Sequence, residues 1–551
     1  MTSNDAPGAQ APRAYRDLHD HLDALREAGL LVTVDRPIDK DSELHPLVRW
    51  QFVGGVDEPD RKAFLFTNIH DGLGRKYDIP VVVGAIAANR KIYSLGMQSP
   101  VEDIQKKWDA AIAHPIKPRV VANAPCHDVI HQGRDLIGEG NGLDRLPIPI
   151  STPGFDSAPT LTATNVVTKD PVTGVQNMGT YRAALKASDR LVVRMATRVG
   201  GAGGYQHYLA HKKRGDKEMP CAIVLGCPPA VAFMGPQKLP VGVDELDVAG
   251  GLVGAPINIV RAKTVDLMVP AEAEIVIEGY IDTEYVEPEA PFGESHGHVA
   301  LEEYNMPMRI TAITHRRHPV IPSYISQVAP SESSVIKRVA YEPLFLDHLK
   351  NGLGIKGVKR VCLHEPLTGL LRVTTIVVEK GTPRTEVWRA LYGAAFFKGD
   401  CGKICIAVNE DIDPDNADAL LWALAYRSDP IKDVRTVESR GQGHGPKREH
   451  TGEEDSTLLM DATMKSDMPP LALPKKPYME RSRKIWEELG LQPLRPQSPW
   501  FGYSLGDWLP QWDQAAERAA SGHYLENGRI SAQQRRKGLV PETKFRPGEE
   551  E

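Results

Sequence analysis

The stretch LTATNVVTKDPVTGVQNMGTYR, residues 161–182, decides the fold of the central part of this chain. Residues 161–169 and 175–182 are rich in Val, Thr and other residues that favour strands. They flank DPVTG at 170–174, in which Pro and Gly favour a tight turn. The spacing therefore predicts a β-hairpin.

Strands continue outward from this hairpin. Between residues 125 and 325, short apolar runs alternate with turns that contain Pro and Gly, which is typical of a domain built mainly of strands. The predicted strands are 221–225, 257–261, 274–281 and 308–314, and the predicted helices are 205–214 and 243–253.

A small α/β domain is predicted before the strand domain, over residues 14–120. Leucines at helical spacing predict a helix that Gly29 ends before a strand at 30–34. Ser99, with a proline after it and an acid three residues later, predicts the N-cap of a second helix that runs to about residue 113.

A second α/β domain is predicted over residues 335–490, because strands alternate with helices there. The strands are 358–363, 371–378 and 403–408, and the helices are 384–397 and 416–426. Residues 1–13 are expected to be flexible, and residues 491–551 to form an extended C-terminal tail. The predicted fold class is mixed α/β (α+β).

Composition argues against several classes of protein. The 551 residues include 66 Lys and Arg and 72 Asp and Glu, and the net charge of -6 disfavours a nucleic-acid partner. Prolines interrupt the longest uncharged stretch, 219–237, so no membrane span is predicted. Residues 1–13 lack the pattern of a secretion signal and the six cysteines are sparse, which favours a cytoplasmic protein.

Two groups of residues could carry chemistry. His207 and His211 share one helical face, and either could bind a metal ion, although two solvated histidines would give the same pattern. Residues 287–296, EPEAPFGESH, combine three carboxylates and a histidine with two prolines that stiffen the backbone. Neighbouring carboxylates move one another's pKa values apart, as a general acid requires, but a charged surface loop stays an alternative.

A family resemblance accounts for both groups. The motifs that carry it are, in order, NMGTYR at 177–182, QH at 206–207, GVDE at 242–245, VPAEAEIVIEG at 269–279 and PEAPFGE at 288–294. Together they resemble the signature of the UbiD family of carboxy-lyases, over roughly residues 80 to 480. The resemblance implies a split β-barrel for residues 125–325.

The resemblance also implies an activity. Members of the family decarboxylate aromatic, heteroaromatic or α,β-unsaturated acids, reversibly and without oxidation, with prenylated FMN that a flavin prenyltransferase supplies. Loss of CO2 from an sp2 carbon leaves an electron pair that no side chain can delocalise, so an external electron sink is needed.

Positions are carried over from the family one by one. Asn177, His207 and Glu245 would bind a divalent metal, Mn2+ or Mg2+ or another, which also holds the flavin phosphate; such a mostly hard donor set suits these ions. The carried-over residues around K+ are Met178, Met234, Gly235 and Gln237, mainly through backbone carbonyls. Those that would contact the cofactor also include Thr180, Tyr181, Gln206 and Lys398.

Arg182, Glu289 and Glu294 match the Glu-Arg-Glu network of the family. Glu294 would deliver the proton that replaces CO2, and Glu289 would orient Arg182 and the flavin. Asn177 and Arg182 have opposite parity along a strand, so a bulge or bend near Gly179 is required if both serve one site.

Substrate and assembly stay open. The polar loop 441–460, which contains Lys447 and Arg448, stands where the family closes a lid, and its basic residues could receive an aromatic acyl-CoA instead of a free acid. A flavin-binding or assembly subunit without activity is a further alternative, which the intact Arg182, Glu289 and Glu294 disfavour. The resemblance implies a homodimer or a homohexamer.

Overall fold

The computed structural model describes most of the chain. The described residues are 15–197, 202–237, 239, 243–289, 291–295, 297–300, 303–364, 372–397, 402–441, 454–465, 472–494, 509–535 and 540. The mixed α/β class that the sequence predicts is confirmed.

The N-terminal region alternates short strands and helices. Its elements are α1 Leu18–Glu27, β1 Leu31–Val34, β2 Ile38–Asp39, α2 Leu44–Val53, β3 Ala63–Phe66, β4 Ile69–His70, β5 Lys76–Tyr77, β6 Val81–Val83, α3 Arg90–Met97, α4 Ile104–Ala113 and β7 Arg119–Val120. The predicted first helix is confirmed, because Leu18, Leu22 and Leu25 are buried along one face of α1. Gly29 follows the helix with a φ of 68°, which favours glycine.

The predicted N-cap at Ser99 is wrong. The Ser99 hydroxyl donates to the carbonyl oxygen of Pro100 at 3.2 Å, and Pro100 has an extended ψ of 148°. A 3₁₀ turn at Val101–Asp103 comes first, and α4 begins only at Ile104.

The central region is dominated by strands. Its elements are β8 Val129–Gln132, β9 Thr160–Leu161, β10 Thr164–Lys169, β11 Gln176–Gly179, β12 Ala183–Ala187, β13 Arg190–Val193, α5 Gly203–Arg214, β14 Glu218–Leu225, α6 Pro229–Ala232, α7 Glu245–Val253, β15 Asn258–Arg261, β16 Met268–Pro270, β17 Ile275–Asp282, β18 Glu287–Pro288, β19 Phe292–Gly293, β20 Val299–Ala300, β21 Tyr304–His315 and β22 Ile321–Ser323. The last strand, β22, leaves this region and pairs with β6, completing the four-stranded sheet β1-β3-β6-β22.

The main sheet has the order β11-β10-β14-β17-β21-β13-β12-β9, with β8 and β18 pairing with β21. Two short chain segments join one end of this strand order to the other. Residues 162–163 connect β9 to β10, and residues 180–182 connect β11 to β12. A sheet whose two ends are tied so closely must curl, as the predicted split barrel requires.

The strands are buried on both faces. In β14, Ile223 and Leu225 belong to one core cluster, together with Met308 of β21. Ala222 and Val224, which alternate with them, belong to a second cluster that contains residues of α4, α6 and α7. Alternate residues of β14 therefore face the barrel interior and the helices that cover the sheet.

The C-terminal region forms a second α/β unit. Its elements are α8 Glu332–Asp347, β23 Val358–Leu363, β24 Val373–Val378, α9 Arg384–Phe396, β25 Ile404–Asn409, α10 Ala417–Arg427, β26 Val434–Gly441 and β27 Glu454–Asp461, and the sheet order is β23-β24-β25-β27-β26. Asn416 caps α10, since its side chain accepts hydrogen bonds from the backbone N–H groups of Asp418 and Ala419.

Three further helices follow, α11 Lys476–Glu488, α12 Pro510–Ala520 and α13 Tyr524–Gln533, and none of their residues is buried. Among the described residues, no helix has both the length and the apolar content that crossing a membrane requires.

One glycine provides a test of the barrel packing. A Cβ atom at Gly279, in the central strand β17, would overlap the carbonyl oxygen of Arg309 on β21. We expect Gly279→Ala to reduce stability by about 1–3 kcal/mol, because the two strands must separate to admit the methyl group. Thermal unfolding measures the loss. Gly528→Ala in α13, where nothing lies within 4 Å of the added atom, is the control, and an equal effect of both variants would contradict the prediction.

Candidate active site

Arg182 lies where the chain passes from β11 to β12. The sequence predicts one strand over 175–182, but β11 ends at Gly179 and the chain re-enters the sheet at Ala183. This is the break that the opposite parity of Asn177 and Arg182 requires. The Arg182 side chain is only 12% exposed.

Two carboxylates hold the guanidinium of Arg182. Its Nε donates to Oε1 of Glu289 at 2.6 Å and its Nη2 to Oε2 of the same residue at 3.0 Å, which is a two-point contact. Its Nη1 donates to Oε1 of Glu294. Both carboxylates are buried. The structure thus brings together the three residues of the expected network, although Arg182 precedes both glutamates by more than a hundred positions.

The segment that carries the two glutamates is itself fixed. Asn305 donates from Nδ2 to Oε2 of Glu289 at 3.2 Å, and Lys186 donates from Nζ to the carbonyl oxygen of Glu289. The guanidinium carbon of Arg182 lies 4.5 Å from the centre of the Phe292 ring, in a cation–π contact. The backbone N–H of Gly293 donates to Asp156 at 3.2 Å.

Burial and neighbouring charges have opposite effects on the pKa values at this site. Burial lowers the pKa of Arg182, but the contacts with Glu289 and Glu294 raise it by more, so the net shift is upward. Arg182 therefore stays a cation. Burial raises the pKa of the nearby Asp156, although its backbone hydrogen bonds and Arg182 oppose the change. Burial thus favours the protonated form of the Asp156 carboxyl, whereas Arg182 stays charged between the two glutamates.

The expected divalent-metal ligands lie near β11, at the other end of the 180–182 connection from Arg182. Asn177 is on β11, opposite Thr168 of β10, and Thr168 Oγ1 lies 2.9 Å from Nδ1 of His207 on α5. That contact leaves Nε2 of His207 as the nitrogen available to a metal ion. Glu245 begins α7, and its Oε2 accepts a hydrogen bond from the backbone N–H of Met178 at 3.2 Å.

The chemistry of these residues fits a hard divalent ion. Burial raises the pKa of Glu245 to about 7, and no cation in the described part of the chain influences this carboxyl. Burial also lowers the pKa of His207, which favours the neutral ring that binds metal. Among the described residues, no cluster of three or more His, Cys, Asp or Glu could hold a metal ion, so a site here needs Asn177 and a further ligand.

Backbone hydrogen bonds involve three of the expected K+ residues. The N–H of Thr180 donates to the carbonyl oxygen of Gly235 at 3.2 Å, and the N–H of Gln237 donates to that of Met234 at 3.1 Å. A carbonyl oxygen has two lone pairs, so each keeps capacity for a cation. Met178 is buried and pairs with Val167 of β10.

The other expected cofactor residues differ in burial. The hydroxyl of Tyr181 accepts from the N–H of Gly204 at 3.2 Å, at the start of α5, and burial raises its pKa. Gln206 is exposed on α5, one residue before His207. Lys398 lies outside the described residues, as do Lys447 and Arg448 of the expected lid loop.

Some residues of this site were not predicted. Besides Lys186, Asp156 and Asn305, they include Arg194, whose N–H donates to the carbonyl oxygen of Arg182 at 3.0 Å. Burial, and then the charge of Arg182, lower the pKa of Arg194. An arginine directly after the apolar run 191–193 was the only signal for it in the sequence.

Two family models match the chain. One is the 3-octaprenyl-4-hydroxybenzoate carboxy-lyase Rift-related domain of UbiD, over residues 119–328, and the other is the C-terminal domain of the same carboxy-lyase, over residues 335–462. Together they cover more than half of the chain.

Known proteins show the same similarity. The UbiD-class enzyme HmfF from Pelotomaculum thermopropionicum, solved in complex with FMN, is 28% identical with a TM-score of 0.72, and the match covers 82% of this chain and 95% of that one. An evolved dimeric form of HmfF with prFMN is 27% identical with a TM-score of 0.70, over 84% and 97% of the two chains. An uncharacterized protein of Archaeoglobus fulgidus is 27% identical over 444 residues, 76% of this chain and 86% of that protein.

The shared guanidinium provides a test of the site. We expect Arg182→Met to lower the free energy of unfolding by about 3–5 kcal/mol, because two buried carboxylates lose their cation. Chemical denaturation measures the loss, and adding Glu289→Gln and Glu294→Gln should restore most of it. Arg309→Met, which breaks an exposed pair with Glu218, is the control and should cost at most about 1 kcal/mol. Equal losses in Arg182→Met and Arg309→Met would contradict the analysis.

Proposed function

Because the chain belongs to the UbiD family of carboxy-lyases, we propose that it decarboxylates an aromatic, heteroaromatic or α,β-unsaturated carboxylic acid, reversibly and without oxidation, with prenylated FMN as cofactor. The observation that carries the proposal is the buried Arg182 held by Glu289 and Glu294. The family description names an aromatic acid, and a relative of 27% identity was solved with prFMN, which supports the substrate class and the cofactor.

The residues of the chain divide the work. Prenylated FMN, when bound, supplies the electron sink that takes up the charge left by departing CO2. Asn177, His207 and Glu245 would hold Mn2+ or Mg2+ against the flavin phosphate, and Lys398 would contact that phosphate. Met178, Met234, Gly235 and Gln237 would hold K+, and Thr180, Tyr181 and Gln206 would line the cofactor site.

Glu294 would act as the general acid. Its carboxyl would donate a proton to the carbon that loses CO2 and would then be recharged from solvent. Arg182 keeps the carboxyl in a fixed plane, and Glu289 holds the opposite side of the guanidinium, so that Arg182 cannot turn away. A binding subunit without activity would not need such a relay, which favours an enzyme over that alternative.

The partners follow from the same proposal. A flavin prenyltransferase would supply the cofactor, and a homodimer or homohexamer is the proposed assembly. A free acid is preferred to an aromatic acyl-CoA as substrate, because the family description names a free acid. The acyl-CoA alternative depends on the predicted lid loop 441–460, but residues 454–460 belong to strand β27, and residues 442–453 lie outside the described residues. Co-expression with a flavin prenyltransferase, an absorbance spectrum and a screen of benzoates, heteroaryl carboxylates and cinnamates for CO2 release test the proposal.

We expect His207→Ala to lose the divalent metal and the flavin together, because the metal joins the protein to the flavin phosphate. Native mass spectrometry of the co-expressed protein measures both. The matched control is His211→Asn on the same helix, where the ring contacts Asp216 and the carbonyl oxygen of Lys169. The control should have a lower melting temperature but still bind both the metal and the flavin. Full occupancy by metal and flavin in His207→Ala would show that His207 is not a metal ligand.

We expect Glu294→Gln to bind cofactor normally but to decarboxylate about 10²- to 10⁴-fold more slowly, because the amide cannot transfer the proton. In D2O it should also stop exchanging the product hydrogen that the reaction introduces. Glu287→Gln, in the same segment but paired with Arg190, is the control. Near-normal turnover and exchange in Glu294→Gln would assign the proton to another donor.

A further inference from the structure

Val328 has an unfavourable backbone conformation close to the proposed acid. Its φ is 49°, in the left-handed region, and it is the one β-branched residue among the described non-glycine residues with positive φ. Such conformations are costly for β-branched side chains and persist only where the surroundings impose them. The contacts of Val328 therefore indicate what the segment is held for.

Two of these contacts join Glu294 to the N-terminal region. The N–H of Val328 donates to the carbonyl oxygen of Glu294 at 3.3 Å. The carbonyl oxygen of Val328 accepts a hydrogen bond from Nη1 of Arg49 on α2 at 3.1 Å. Val328 is thus held between a side chain of the first domain and the backbone of the proposed proton donor.

Gln327 forms a second connection beside the first. Its Oε1 accepts from Nη2 of Arg49 at 3.0 Å and from the N–H of Ser326 at 3.2 Å, and two donors fix the orientation of the amide. The side chain is buried against Gly293, where an added Cβ would lie 2.8 Å from Cγ of Gln327 and 2.5 Å from Oγ1 of Thr152. Arg49 therefore fixes the residues that contact both Gly293 and Glu294.

The guanidinium of Arg49 can do this at neutral pH. Burial lowers the pKa of Arg49 to about 10. The buried Glu332 opposes this change only when it is ionised, and burial raises its own pKa to about 8. The group stays a cation, so its two hydrogen bonds are charge-assisted and directional.

We propose that Arg49 is a positioning residue for Glu294, which acts through Gln327 and Val328 and not through the carboxyl group itself. The inference rests on the proposed function, in which Glu294 is the general acid. Arg182 holds the carboxyl end of Glu294, whereas Arg49 holds the backbone from which that side chain extends. A displacement of about 1 Å at a reacting group can cost up to about 10²-fold in rate, so the second restraint matters for proton transfer.

The first experiment compares Arg49→Gln with the unaltered protein, both co-expressed with a flavin prenyltransferase. We expect kcat for the best acid of the screen to fall about 10-fold, with KM and flavin occupancy unchanged, because only the acid is displaced. Arg49→Lys keeps the charge but cannot make both contacts, so its kcat should lie between those of Arg49→Gln and the unaltered protein. A KM change without a kcat change, or a loss of flavin, would overturn the proposal.

A second measurement does not depend on activity. Hydrogen–deuterium exchange followed by mass spectrometry reports the protection of the peptides that contain Val328 and Gly297, whose N–H groups both donate to the carbonyl oxygen of Glu294. Arg49→Gln should exchange faster in both peptides. The control Arg75→Gln removes another arginine of the N-terminal region, one bonded to Asp71 and Asp144, and should leave these peptides unchanged. Equal protection in Arg49→Gln and the unaltered protein would overturn the proposal.

A suppressor separates positioning from simple destabilisation. Glycine adopts positive φ without strain, so Val328→Gly should not need Arg49 to keep its conformation. We expect the double variant Arg49→Gln with Val328→Gly to regain most of the lost kcat. If Val328→Gly instead leaves the Arg49→Gln defect unchanged, Arg49 does not act through Val328 and the inference fails.

Glu294→Gln distinguishes the inference from the function on which it rests. If Glu294→Gln is inactive and Arg49→Gln is fully active, the inference is wrong and the proposed function stands. If Glu294→Gln retains full activity, the proposed role of Glu294 is wrong whatever Arg49→Gln does.

Discussion

A buried guanidinium that two carboxylates share is the interaction on which the site depends. Arg182 loses its hydration when it is buried, and the contacts with Glu289 and Glu294, together with the Phe292 ring, compensate for that loss. The two glutamates in turn could not be buried as anions without it. Because the arginine and the acids are far apart in sequence, the fold has to bring the 180–182 connection and the 287–294 segment to one place. The pairing of β12 with β13, and of both β13 and β18 with β21, does so.

The short connection between β11 and β12 explains why Arg182 can reach this position. If β11 and β12 were one straight strand, Asn177 and Arg182 would point to opposite faces of the sheet. The chain instead leaves the sheet after Gly179 and re-enters it at Ala183, at the opposite end of the strand order. The 180–182 connection therefore turns Arg182 toward the acids, while Asn177 stays on β11 opposite Thr168, which contacts His207.

Local patterns predicted local structure well. Leucine spacing predicted α1, and the helix predicted over 416–426 corresponds to α10. Family motifs named Arg182, Glu289 and Glu294, which the structure brings together. The strand order and the contact of Arg49 with Val328 could not be predicted, because both depend on pairings between segments that are not adjacent in sequence and neither leaves a periodic signal. Arg49 and Val328 are 279 positions apart. The φ of Val328 even opposes the preference of its side chain.

The two proposed sites solve one electrostatic problem in different ways. Glu289 and Glu294 are buried with a cation that the chain provides. Glu245 is also buried, and among the described residues no cation influences its pKa, which burial raises to about 7. A carboxyl of this kind must either keep a proton or receive a positive ion from outside the chain. The pairing of Glu294 with Arg182 suits a group that exchanges protons during the reaction, whereas the burial of Glu245 suits a permanent metal ligand. This difference supports the separate roles proposed for Glu294 and Glu245.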